Sequence, residues 1–112
     1  SGVGAYLVSQ AFVHRFDVFY WRERNDEVDF IIRKKNSLVA IEVKGNAEKR
    51  TEGLDKFREL FKPTSSFIVG DGGIKVEEFM SMDLMKLFWA DYVFDFVKYQ
   101  FSKQAFDRYV IS

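Results

Sequence analysis

The sequence predicts an α/β domain, a mixed β-sheet flanked by helices, with an aromatic helical tail after it. Three observations carry that expectation. A helical apolar spacing opens the chain, a long run rich in β-branched and aromatic residues alternates with period two, and a helix then leads back into a strand-type run.

In the opening GVGAYLVSQAFVHRF, Ala5, Tyr6, Val8, Phe12 and Val13 recur at helical intervals, so a first helix is expected over about residues 3–13. A chain whose first residues already enter a helix reads as a piece of a longer protein. The stretch DVFYWRERNDEVDFIIRKKNSLVAIEVKG reads as three strands, interrupted by polar clusters at 23–26 and 34–37 that make two hairpins. In the second strand, strict alternation puts Val28, Phe30 and Ile32 on one face and Glu27, Asp29 and Ile31 on the other. In the third, Val39, Ile41 and Val43 alternate with Ala40, Glu42 and Lys44. Residues 51–61 space Leu54, Phe57, Leu60 and Phe61 as a helix that Pro63 ends. SFIVG at 66–70 is a short strand, and its arrival after a helix places it beside the third strand. Asp71–Gly73 makes a turn, and a single helical segment is expected from Glu77 and Glu78 to Phe88. The division that follows is a domain over residues 1–88 and a tail over 89–112.

With 112 residues the chain suits one compact core. Seventeen basic residues balance seventeen acidic ones, so no global field draws the domain to nucleic acid or to an anionic membrane, and such contact must be local. The absence of cysteine excludes disulfides and thiolate metal sites and fits a reducing, cytoplasmic setting. Asp91, Asp95 and Lys98 interrupt the longest aromatic region, which argues against a membrane span.

The pattern Asp29-x12-Glu42-x-Lys44 is where chemistry is expected. Paired across a hairpin, the two carboxylates share a face with Lys44. Two hard oxygen ligands, a backbone carbonyl near Val43 and waters suit Mg²⁺ or Mn²⁺, and an adjacent ammonium can orient or deprotonate an attacking water. Such a trio also arises on the wet face of an ordinary amphipathic hairpin, so spacing alone does not decide.

The run YWRERNDEVDFIIRKKNSLVAIEVKG, with VGAYL before it and GLDKF and IVGDGGI after it, resembles the PD-(D/E)XK nuclease-like domain at the C-terminus of a large group of bacterial and archaeal AAA-type ATPases, over about residues 3–88. The resemblance implies a restriction-endonuclease-like core. It gives Asp29 and Glu42 the metal-ligand positions and Lys44 the lysine position, with Mg²⁺ or Mn²⁺ as cofactor and nucleic acid and the ATPase part of the same protein as partners. Many members carry a glutamate on the first helix that helps hold metal, where this chain has Val8, followed by Ser9 and Gln10. Fewer charged ligands imply weaker cation binding, so the alternative reading is a degenerate nuclease fold kept for assembly or regulation.

Phosphate contacts are expected from Arg22, from Arg33, Lys34 and Lys35 at a hairpin tip, and from Lys49 and Arg50. The glycines after the fourth strand lack the Lys-Ser/Thr of a phosphate loop, and His14 has no metal-binding partner nearby in sequence. In the tail, Phe88, Trp89, Tyr92, Phe94, Phe96, Tyr99, Phe101, Phe106 and Tyr109 fall in the final 25 positions. A stripe that broad is expected to pack on a second copy or on the ATPase part, giving a homodimer, or else to complete the domain's own core.

Overall fold

The computed structural model describes residues 2–45 and 52–89. Their element order is α1 (Gly2–His14), β1 (Asp17–Glu23), β2 (Asp26–Lys34), β3 (Ser37–Lys44), α2 (Glu52–Phe61), β4 (Ser65–Gly70), α3 (Val76–Phe79) and α4 (Leu84–Phe88). The four strands lie in sequence order in one sheet, with β1–β2 and β2–β3 antiparallel and β3–β4 parallel. The expected mixed α/β sheet with flanking helices is therefore present.

Each face of the sheet has its own apolar cluster. On one, Val3 and Leu7 of α1 pack with Ile32, Val39, Ile41 and Val69, and Phe79, Leu84 and Phe88 close the same cluster from α3 and α4. On the other, Leu54 and Phe57 of α2 pack on Val28, Ile31 and Ala40. Apart from Ala40, each of these buried aliphatic or aromatic side chains contributes about 1.5–3 kcal/mol relative to exposure. Trp89, assigned by its sequence position to the tail, is buried in the first cluster beside Phe16 and Phe88. The rest of the expected tail, and with it the association segment, lies outside the described residues.

Helix α1 carries no charge before His14, and its carbonyl end is held from β2, where Lys34 Nζ donates to His14 O at 2.6 Å. A cation at a helix C-terminus is the favourable sign. The single helix expected after Glu77 is two short ones. Met80 closes α3, and the Asp83 carboxylate then accepts from the Met85 and Lys86 N–H groups at 3.1 and 3.4 Å, which starts α4 afresh. Ser65 Oγ donates to Phe88 O at 3.1 Å and ties the start of β4 to the end of α4. Among the described residues no helix is long and apolar enough to cross a membrane.

Strict alternation fails in β2. Phe19 is opposite Ile31 and Trp21 is opposite Val28, so Tyr20 alone faces both Asp29 and Phe30. The extra residue is a β-bulge. It changes the strand's parity: Phe30 and Ile32 face α1, whereas Val28 joins Ile31 under α2. The expected grouping of Val28 with Phe30 and Ile32 is corrected accordingly. Strand β3 keeps its alternation, with Val39, Ile41 and Val43 toward α1 and Ala40 toward α2.

Candidate functional site

The bulge marks the place where β2 and β3 part. Their ladder runs from Lys34–Ser37 to Phe30–Ile41 and stops there. Beyond that point side chains take over the cross-strand bonds. Asp29 N–H donates to Glu42 Oε1 at 3.3 Å, and Val43 N–H donates to Asp29 Oδ2 at 2.8 Å. Each carboxylate thus satisfies a backbone donor that would otherwise be left without a strand partner, and the two acids face one another across the parted strands.

Glu42 is buried to 9 % exposure and Lys44 to 6 %. Burial, and after it the hydrogen bond and negative charge of Asp29, push the Glu42 carboxyl up from its ordinary 4.5 to about 8, while Lys44 acts in the opposite direction. Two carboxyls pressed together share a proton or a cation. By that criterion the pair fits a divalent ion, which would take the place of the proton. The donor set is small: among the described residues no group of three or more Asp, Glu, His or Cys side chains converges on one point.

A cleft of about 390 Å³ opens beside the pair. Asp29 and Glu42 line it with Val43 and Lys44; Arg22, Asn25, Asp26 and Glu27 form one wall, and Glu52 and Gly53 at the start of α2 form the other. Gly53 is there because a Cβ would collide with the Glu27 carbonyl and amide nitrogen, so only glycine lets α2 rest on the β2 backbone. Tyr20 Oη donates to Glu27 Oε2 at 2.6 Å and fixes that carboxylate, a bond that raises the Tyr20 phenol's pKa above its ordinary value. Arg22 Nε donates to Arg24 O at 3.1 Å, which orients its guanidinium at the cleft wall.

Of the residues singled out by sequence, Asp29, Glu42, Val43, Lys44 and Arg22 meet in this cleft. Arg33, Lys34 and Lys35 do not. From Asp29 to Lys34 is five residues along β2, about 17 Å, and Arg33 pairs with Asp17 at 3.1 Å while Lys34 holds the end of α1. Lys49 and Arg50 lie outside the described residues. Helix α1 contributes nothing to the cleft, and Val8 is 61 % exposed. Asn25, Asp26, Glu52 and Gly53 were not singled out from sequence. A glycine in the first turn of an otherwise good helix was the available signal for Gly53, since glycine there is unfavourable without a packing reason.

Compared with known proteins, residues 2–87 match the model of a family described as "Domain of unknown function (DUF4143)". No curated protein and no solved structure matches the chain.

Proposed function

The chain belongs to the DUF4143 family, and we propose that its cleft is the centre of a nuclease-like domain that hydrolyses or binds nucleic-acid phosphodiesters with Mg²⁺ or Mn²⁺. The observation that carries this reading is the convergence of Asp29 and Glu42 across the parted strands, with Lys44 in the same cleft. Asp29 and Glu42 would hold the ion, together with the backbone at Val43. Once bound, such an ion lowers the pKa of a coordinated water and neutralises charge on a phosphoryl oxygen.

The chain's own residues supply the rest. Lys44 brings a buried ammonium to the cleft, where it orients the attacking water or takes up charge from the phosphate. Arg22, its guanidinium held by the Arg24 carbonyl on the cleft wall, would contact a phosphate oxygen. On this reading the domain is the C-terminal, restriction-endonuclease-like part of an AAA-type ATPase.

Asp29→Asn, Glu42→Gln and Lys44→Ala should each abolish Mn²⁺-dependent cleavage of nucleic acid and leave the circular-dichroism spectrum unchanged. Cleavage that survives all three substitutions would refute the assignment. A second reading, a non-catalytic module that serves assembly or regulation of the ATPase, is favoured by the two-carboxylate donor set. Calorimetric titration separates the two: a module of that kind takes up neither Mg²⁺ nor Mn²⁺ at the Asp29–Glu42 pair.

A further inference from the structure

The face of the sheet under α2 carries a strip of aromatic rings that begins beside the cleft. Trp21 precedes Arg22 of the cleft wall and meets Phe61 edge-on, with ring centroids 6.1 Å apart. Phe19 lies two residues back on β1 and so on the same face as Trp21, about 7 Å away. Over its ring sits the Arg33 guanidinium, 4.6 Å from the centroid. These rings are not finished core: Phe19 is 41 % exposed and Phe61 47 %. Positive charge stands at the far end, where Lys35 in the β2–β3 turn and Lys62 after α2 are both exposed. The Thr64 N–H bond to Leu38 O, 2.8 Å, keeps the segment after α2 at that end of the sheet.

We propose that this strip is a track for single-stranded nucleic acid leading into the cleft. The proposal rests on the reading of the cleft as a nucleic-acid site and names its substrate class. Aromatic faces with interleaved cations bind unpaired bases by stacking and their phosphates by charge, without sequence preference. Paired bases in a duplex have their faces covered, so the strip offers a duplex nothing to stack on. Arg33 adds a second planar surface over Phe19, and guanidinium planes also accept bases. The strip explains why Lys35 stands so far from the carboxylates: it meets the strand several nucleotides away from the phosphodiester in the cleft, while Arg33, its charge paired with Asp17 at 3.1 Å, offers its plane.

The test is fluorescence anisotropy of a labelled oligothymidylate with the full chain in EDTA, against the same strand annealed to its complement. The single strand should bind at least about tenfold more tightly, and Phe19→Leu and Phe61→Leu should each weaken it about 5- to 150-fold, the range of one lost base stack. Phe19→Trp, which keeps a π-face, should retain binding, and that separates stacking from loss of fold or of apolar area. Equal affinity for duplex, leucine variants that bind like the parent, or no binding at all would overturn the track and leave the strip as a protein-contact surface. Because no metal is present, a chain that cleaves in Mn²⁺ but shows no preference for single strands refutes this inference alone.

Discussion

Glu42→Gln should make the metal-free protein more stable, and only at higher pH. In the folded chain the Glu42 carboxyl titrates near 8, whereas unfolded it titrates near 4.5. Between those values the folded state holds a proton that the unfolded state has lost, so stability falls as pH rises through this window. It is fully present below about 4.5 and fully lost above about 8. A shift of that size taken whole would carry about 5 kcal/mol. The carboxylate borders an open cleft, and water screening there reduces the expected loss to about 2 kcal/mol. Glutamine reproduces the protonated acid: its oxygen can accept from Asp29 N–H, its amide can donate to the Asp29 carboxylate, and it never ionises. Urea unfolding in EDTA at pH 4, 6.5 and 8.5, followed by circular dichroism, should show the variant equal to the parent at the lowest pH. At the highest it should be about 2 kcal/mol more stable. A stability difference that stays flat across this range would refute the protonated pair.

Two further substitutions test the supports around the cleft. Gly53→Ala forces α2 off the Glu27 backbone and should cost about 1–3 kcal/mol as an overpacking change, read from the urea midpoint; a neutral result would mean that the contact is not tight. Ser65→Ala leaves the buried Phe88 carbonyl without its donor, at a cost of about 1–2 kcal/mol, and should appear as a lower melting temperature with no change in the far-ultraviolet spectrum.

The periodicities that depend on one element were legible in the sequence. α1, the three strands of the meander, α2 and β4 all lie close to the residues where they were expected, but the face of α1 is corrected: Val3 and Leu7 are buried, whereas Val8, Phe12 and Val13, which carried the helical spacing, are exposed. The bulge was not legible, since EVDFII alternates smoothly on paper and only the register with β1 shows that Tyr20 faces two residues. Asp29, Glu42 and Lys44 were found through their spacing and a family resemblance; their meeting in one cleft follows from β3, whose alternation held. Glu52 and Gly53 were missed because their role depends on α2 resting on β2, a contact between segments far apart in sequence. Arg33 and Lys34 looked like free phosphate contacts. Their engagement with Asp17 and with the end of α1 appears only when β2 is laid beside β1 and α1.

The sheet order also bears on the order of folding. β1, β2 and β3 join neighbours in sequence through short turns, whereas β4 reaches β3 only after the chain has passed through α2. Local pairings close sooner than crossover pairings. The two acids, thirteen residues apart, are brought together by the β2–β3 hairpin alone. Repulsion between them therefore opposes the first productive step and not the last. A chevron recorded on Glu42→Gln at pH 8.5 should place the added stability on the folding arm, and a gain confined to the unfolding arm would show that the pair closes late.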